Sequence, residues 1–310
     1  MGGTKRVITT VNGTRFPVMS KVIALAFFVG ALPFFNFASA YAGETSGQEA
    51  VEDEQRPESR VEWLWGDYKK PVRFTYSAQA RIQTAYLWRG FYAGGANIQG
   101  SATVGYGGLY IGTWWNIGVT DWTFNTFLPE MDWSIGFNRW GVDVYMLWVH
   151  NFDCKLFDFA NYTDHGNRLE LNVRYTLSEK VPLTIGWATR IAAADGYINE
   201  KGELVRAYSS WLEISYTQRL PYGMSLYGSV GMTPWKSGYT GFKGGFAVTN
   251  TEVRLRKDWS VSDHCGLMLQ GQLAINPYAL SEDKSSAEWH PYSPGSQAIN
   301  ANIAFGVYLK

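Results

Sequence analysis

The histidines are the first residues to consider for chemistry in this sequence, because a histidine beside a serine or an acid can drive hydrolysis. They are His150, His165, His264 and His290. His165 follows Asp164, but a polar pair of this kind is ordinary in a loop. No serine occupies a nucleophile elbow, and the two cysteines show no metal-ligand spacing. We therefore predict that the protein is not an enzyme and that it holds no metal or cofactor.

Charged side chains recur at alternate positions within apolar segments. In residues 168–177, the polar residues Arg168, Glu170, Asn172 and Arg174 alternate with apolar or aromatic residues. A period of two is that of a β-strand with one apolar and one polar face. Charges gathered on one face of many strands can pair with one another or line a water-filled pore.

Residues 76–117 show the organisation of the chain. Between residues 76 and 88 the even positions are mostly apolar and the odd positions mostly polar. Glycine-containing breaks follow at 89–90 and 94–95, the alternation resumes near Ile98, and Gly107-Gly108 precedes a further apolar segment. We predict a first strand that continues through Trp88, a loop, and then two strands joined by a tight turn.

The same analysis predicts 12 strands in all, joined by links that are alternately shorter and mostly longer. The shorter links are 106–108, 138–140, 178–182, 220–223 and 257–264, and the others are 89–96, 119–128, 151–166, 193–206, 234–244 and 276–296. An even number of strands with alternating links is typical of bacterial outer-membrane barrels, which leave no unpaired edge in lipid. The predicted fold is therefore all-β: a transmembrane antiparallel up-and-down β-barrel of about 12 strands, after a cleaved signal peptide.

Three regions divide the chain. Residues 1–42 are predicted to be a signal peptide and upstream residues, with Met19 as a possible true start, because a basic residue precedes an apolar run and small residues follow it. A transmembrane anchor is the alternative, but the run of about 16 residues is short for one. Residues 43–72 are predicted to be a flexible acidic periplasmic lead-in, and residues 73–310 the outer-membrane barrel.

Composition agrees with an exported barrel. Charged residues make up 17% of the chain, whereas the aromatic share is 16%, with 14 Trp and 19 Tyr. Barrels place Trp and Tyr in girdles at the two membrane interfaces. The formal net charge is zero, so nothing indicates nucleic acid as a partner. The predicted location is the outer membrane of a Gram-negative bacterium, and the predicted partners are the lipid bilayer and small polar solutes. The oligomeric state stays open.

The polar faces of the predicted strands supply the candidate lumen residues. We predict that the following residues line the lumen or pore: Arg81, Asp132, Asp143, Arg168, Glu170, Arg174, Arg190, Glu213, Arg219, Glu252, Arg254 and Arg256. Twelve tilted strands spaced about 4.8 Å apart give a backbone diameter of roughly 24 Å. Side chains from opposite walls then leave about 10 Å or less, which fits either a narrow channel or a filled lumen.

Short motifs near the start of the predicted barrel resemble the TorF-type porin family. They are Tyr86-Leu87-Trp88-Arg89-Gly90, Asn97-Ile98-Gln99-Gly100 and Gly108-Leu109-Tyr110-Ile111-Gly112. The family motif is carried here by Tyr86, Trp88, Arg89, Gly90 and Gln99. This chain lacks the proline that often precedes the glutamine, and it ends in Lys310 rather than an aromatic residue. The resemblance implies an outer-membrane barrel with a transport role, without catalytic residues or a defined substrate.

Two functions follow from these expectations. The first is a passive channel, or porin, for small polar solutes, in which the inward charges filter what passes. The alternative is a non-conducting barrel with a filled lumen, in which the same charges pair and the outer loops bind a partner or lend structural support.

Overall fold

The computed structural model of the chain describes residues 72–120, 130–151, 155–159, 167–178, 181–243, 245–281 and 298–309. The predicted signal peptide and all but the last residue of the predicted lead-in lie outside these residues.

Sixteen strands, a short 3-10 helix and a short α-helix make up the described part of the chain. The strands are β1 (Phe74–Gln83), β2 (Tyr86–Trp88), β3 (Phe91–Gly94), β4 (Asn97–Tyr106), β5 (Leu109–Gly118), β6 (Glu130–Arg139), β7 (Val142–Asn151), β8 (Arg168–Thr176), β9 (Leu183–Ala193), β10 (Gly196–Ile198), β11 (Leu204–Arg206), β12 (Ser210–Leu220), β13 (Met224–Thr233), β14 (Ala247–Ser260), β15 (Cys265–Ile275) and β16 (Ile299–Leu309). The 3-10 helix is Gly238–Thr240 and the α-helix, α1, is Pro277–Ser281. Within the described residues, neither helix has the length and hydropathy to span a bilayer.

Twelve of these strands close into an antiparallel barrel in the order β1-β16-β15-β14-β13-β12-β9-β8-β7-β6-β5-β4. Each strand pairs with the next barrel strand along the chain, and β1 closes the barrel against β16, with Ala78 opposite Leu309. Closure satisfies the backbone groups of what would otherwise be two edges. The predicted all-β barrel, its 12 strands and its antiparallel topology are confirmed.

The links between barrel strands differ at the two ends of the barrel. Links at one end, here called the short-turn end, are tight, such as Gly107-Gly108 and Trp140-Gly141. Links at the other end, the long-loop end, include the β2–β3 hairpin, the β10–β11 hairpin and α1. This is the predicted alternation of shorter and longer connections.

The outward face of the barrel wall is apolar. Along β8, Leu171 and Val173 are exposed, whereas the intervening Asn172 is 2% exposed. The last strand repeats the pattern, with Ile303 60% exposed and Asn302 3% exposed. Large apolar side chains that cover the outside of a closed barrel form a surface for lipid, and the polar side chains face the lumen.

The predicted boundaries differ from the structure most at the end of the first strand, and the link predicted at 257–264 is also shorter because β14 continues through Ser260. The first barrel strand ends at Gln83 and does not continue through Trp88. The last hydrogen bonds of this segment to β16 are donated by two amides: that of Thr84 to the Ile303 carbonyl oxygen at 3.0 Å, and that of Ala85 to Asn302 Oδ1 at 3.0 Å. Tyr86–Trp88 then pairs with Phe91–Gly94 as a separate two-stranded hairpin.

Candidate functional site in the barrel lumen

The predicted lumen residues occupy inward positions of the barrel strands but differ in how much solvent reaches them. Six are buried (Asp143, Arg168, Glu170, Arg190, Glu252 and Arg256), four are half-buried (Arg81, Asp132, Glu213 and Arg254), and two are exposed (Arg174 and Arg219). The family-motif residues Tyr86, Trp88, Arg89 and Gly90 lie on the β2–β3 hairpin, and Gln99 lies on β4. The lumen therefore contains both a filled region and a region open to solvent.

The β2–β3 hairpin reaches across the lumen at the long-loop end. Its turn residues Arg89 and Gly90 have φ angles of 50° and 84°, which suits the mirror-image turns that join hairpin strands. A Cβ at Gly90 would overlap the carbonyl oxygen of Thr249 on β14. At the base of the hairpin, the Tyr86 hydroxyl lies 3.4 Å from Glu130 Oε1 of β6. Contacts to both β6 and β14 show that the hairpin occupies the interior.

Arg89 at the hairpin tip binds Glu170 of β8 through two nitrogens. Nη1 donates to Oε1 at 3.2 Å and Nη2 donates to Oε2 at 3.0 Å. The Tyr239 hydroxyl donates to Glu170 Oε1 at 3.2 Å and also contacts Arg89 Nη1. The Glu170 side chain is completely buried and that of Arg89 is 11% exposed. A bidentate pair removed from water in this way has a specific geometry. Removal of either charge would strongly destabilise the fold, because the other charge would remain buried without a partner.

A second arginine completes the charge balance of this region. Arg190 Nε of β9 lies 3.6 Å from Glu170 Oε1, and its Nη1 lies 3.6 Å from Asp195 Oδ1. Asp195 also accepts a hydrogen bond of 2.8 Å from the Ser209 amide. Burial raises the pKa of the Asp195 carboxyl, while Arg190 and the Ser209 hydrogen bonds act in the opposite direction. We call Arg89, Glu170, Arg190 and Tyr239 the hairpin cluster.

Aromatic side chains pack around the hairpin cluster. The 3-10 helix, in the loop between β13 and β14, brings the Tyr239 ring within 5.3 Å of the Trp211 ring of β12. Trp88 and Phe91 of the hairpin pack against this pair. The guanidinium carbons of Arg89 and Arg190 lie 5.3 Å and 4.8 Å from the centre of the Tyr239 ring, within range of cation–π attraction. Loop residues and wall residues thus fill this part of the lumen together.

Neutral amides line the wall near the closure of the barrel. Asn302 of β16 donates to Gln83 of β1 at 3.3 Å, and Gln83 donates to Asn97 of β4 at 3.0 Å. Arg81 of β1 donates to Gln99 of β4 at 2.7 Å, and Gln99 in turn donates to Asn116 of β5 at 3.3 Å. These side-chain bonds run across four neighbouring strands and satisfy polar groups that face the interior.

In the short-turn half of the lumen, four of the described carboxylates have a hydrogen-bond or ion-pair partner. Tyr110 donates to Asp143 at 2.9 Å and Tyr227 donates to Glu213 at 3.0 Å. The other paired acids lie on β14, where Arg254 binds Glu252 and Arg256 Nη2 lies 3.0 Å from Asp258. On the neighbouring wall, Met268, Ala304 and Tyr308 form a small buried apolar cluster.

The exposed part of this half lies on β8 and β12. Arg174, Thr217 and Arg219 are inward-facing and exposed, and we call these three residues the Arg174 face. The Arg174 guanidinium carbon lies 5.3 Å from the centre of the Tyr145 ring. A charged side chain that faces the interior of a closed barrel and is still exposed indicates a water-filled space beside it.

Sequence reasoning missed three residues of the filled region. Trp211, Tyr239 and Asp195 are each at most 3% exposed, yet none was predicted to line the lumen. Only one local signal pointed to the hairpin: two aromatic-rich tripeptide segments, 86–88 and 91–93, flank the pair Arg89-Gly90. This arrangement is compatible with a tight hairpin turn. Within the described residues, no group of three His, Cys, Asp or Glu side chains is arranged to hold a metal ion.

Comparisons with known proteins give limited information. No protein-family model matches the chain, and no curated protein matches it, so the resemblance to TorF-type porins stays a prediction. Among solved structures, the NanC porin superposes with a TM-score of 0.41 at 9% identity, over 76% of this chain and 100% of that one. The KdgM porin gives a TM-score of 0.39 at 7% identity, over 76% of this chain and 98% of the other. OmpF of Salmonella typhi gives 0.34 at 9% identity, over 77% and 97%. The assignment of the fold rests on the strand topology of the chain itself.

Proposed function

We propose that this protein is a porin-like passive channel for small polar solutes in the outer membrane of a Gram-negative bacterium. The observation that carries the proposal is the polarity of the wall: apolar side chains cover the outside, and charged side chains such as Arg174 and Arg219 meet solvent inside. A wall of this kind is expected around a water-filled pore. In this orientation the short turns lie in the periplasm and the long loops outside the cell.

The β2–β3 hairpin makes the proposed channel narrow. Its tip binds Glu170 on β8 at 3.0 Å, and its glycine packs directly on the backbone of Thr249 on β14. Solute therefore passes beside the hairpin cluster rather than through its centre. We expect small unitary conductance and exclusion of large solutes.

A non-conducting barrel is the second candidate, and the same cluster favours it. Glu170 is fully buried and Arg190 is 5% exposed in its side chain, which is the packing of a closed interior. In that case the inward charges stabilise a rigid wall, and the long loops bind a partner or lend structural support.

Conductance across a planar lipid bilayer separates the two candidates. The full chain would be compared with a variant in which residues 86–94 are replaced by a short Gly-Ser linker. As a matched control, the exposed turn at residues 199–203 of the β10–β11 hairpin would be replaced in the same way. Circular dichroism and heat-dependent gel mobility would show whether each barrel has folded.

Each outcome has a distinct meaning. A channel narrowed by the hairpin is supported if the wild type shows small conductance steps that become larger when the hairpin is removed and stay unchanged in the control. A silent wild type and a conducting hairpin variant indicate a barrel that the hairpin seals. Silence in both folded proteins refutes the channel and leaves the structural role.

A further inference from the structure

The Arg174 face contains an exposed guanidinium that is not in an ion pair with any described carboxylate. Arg174 is exposed, and among the described residues no carboxylate oxygen lies within 4.0 Å of its nitrogens. Its partner is the Tyr145 ring, 5.3 Å away from the guanidinium carbon. An aromatic face attracts the cation without cancelling its charge, so the positive charge remains available to an ion in the lumen.

The nearest carboxylates on the same side of the lumen each accept a hydrogen bond from a tyrosine. Asp143, which faces Arg174 across the β7–β8 pair, is 8% exposed and accepts the Tyr110 hydroxyl at 2.9 Å. Glu213, on β12, accepts the Tyr227 hydroxyl at 3.0 Å. Asp143 is thus withdrawn from the lumen water and Glu213 is half-buried, so exposed Arg174 is the most accessible of these three charges.

Two other inward arginines are held differently. Arg256 has its head group 3.0 Å from Asp258 and its side chain is 8% exposed. Arg190 is 5% exposed and lies between Glu170 and Asp195. A charge that is buried and paired acts weakly on an ion in the water-filled part of the lumen, because the field of its partner opposes its own.

We propose that Arg174 is the residue that gives the channel a preference for anions. The inference rests on the proposed function, and it identifies the solute class as small anions. Arg219, exposed on the same face near the short-turn end, adds to the positive field at the mouth. An ion that passes within a few ångströms of an exposed guanidinium is attracted or repelled according to its sign.

Reversal potentials under a potassium chloride gradient test this proposal. The wild type should prefer chloride, and Arg174→Gln should lower the chloride-to-potassium permeability ratio about two- to threefold, the effect of one unit charge across roughly 6–10 Å of water. Arg174→Glu should invert the preference, and Arg174→Lys should retain it. Lys257→Gln is the matched control, since Lys257 lies on the outward face of β14 near the same end and contacts the Tyr222 carbonyl oxygen.

The outcomes distinguish this proposal from the proposed function. If Arg174→Gln and Arg174→Glu conduct with the reversal potential of the wild type, another residue sets the preference and the inference is wrong. An equal change in Lys257→Gln would also overturn it, because the effect would then reflect overall charge. Absence of conductance in every folded variant would refute the channel itself.

Discussion

The hairpin cluster and the Arg174 face lie in the same lumen but differ in the burial and pairing of their charged side chains. In the hairpin cluster, Arg89 and Arg190 both point at a glutamate with a side-chain exposure of 0%. On the Arg174 face, an arginine is exposed and rests on an aromatic ring. The two regions are joined by a single strand, since Glu170 and Arg174 are both inward residues of β8.

The difference shows that a charged side chain in the lumen needs a partner of opposite charge only where water is excluded. Burial of an ion costs several kcal/mol unless a partner of opposite charge and good geometry replaces the lost water. The hairpin brings such a partner into the long-loop end, so the wall there carries complementary charges. Beside Arg174 water supplies the solvation, and a lone guanidinium is stable. Three substitutions, each with a counterpart elsewhere, test this contrast.

The largest expected effect is that of Glu170→Gln. The change leaves Arg89 and Arg190 buried without their shared carboxylate, and we expect a loss of about 3–5 kcal/mol in the free energy of unfolding. Glu213→Gln, which changes a half-buried carboxylate with one tyrosine donor, should cost about 1 kcal/mol. Denaturant titrations of barrels refolded in lipid vesicles, followed by tryptophan fluorescence, measure both. Equal losses would mean that burial does not distinguish the two regions.

A smaller effect is expected for Gly90→Ala at the hairpin tip. Gly90 and Gly202 have similar positive φ angles, 84° and 79°, but a Cβ at Gly90 would overlap Thr249 whereas nothing lies within 4 Å at Gly202. Gly202→Ala should therefore cost about 1–2 kcal/mol for the backbone conformation alone. Gly90→Ala should cost about 1–3 kcal/mol more, and if the channel conducts, its unitary conductance should rise as the tip moves away from β14. Identical stabilities would show that the hairpin does not pack on the wall.

The smallest effect concerns two tyrosine hydroxyls that donate to carboxylates. Tyr239→Phe removes the 3.2 Å hydrogen bond to buried Glu170, and we expect a loss of about 1.5–3 kcal/mol, typical of a hydrogen bond to a charged group. Tyr227→Phe removes the 3.0 Å bond to half-buried Glu213, where water can take the place of the hydroxyl, and about 0.5–1 kcal/mol is expected. The same refolding titration compares them, and a reversed order would contradict the assignment of the filled and open regions.

Much of the barrel wall could be predicted from the sequence because its cause is local. Alternate residues of a strand point to opposite faces, so the apolar series Leu169, Leu171 and Val173 against Arg168, Glu170 and Asn172 fixes which side meets lipid. The alternation of short and long links is equally visible along the chain. These features led to the correct fold class and number of barrel strands.

The point at which the chain leaves the wall could not be predicted in this way. Tyr86 and Trp88 continue the even-numbered apolar series of Ala80 and Ile82, so the period of two extends past the true end of β1. What ends the strand is the tertiary position of the next residues. Arg89 contacts Glu170, which is 81 residues away, and Tyr239, which is 150 residues away. No local pattern encodes partners at that separation.

The sequence alone determined the two-faced strands and the closed antiparallel wall, because period, turn residues and link lengths are properties of neighbouring residues. Only the tertiary structure decided how the inward charges are used. On the polar face of β8, Glu170 and Arg174 are alike in the sequence, and one is buried while the other is exposed. The physical reason is that the folded hairpin excludes water at the long-loop end of β8 and leaves it in place at the short-turn end.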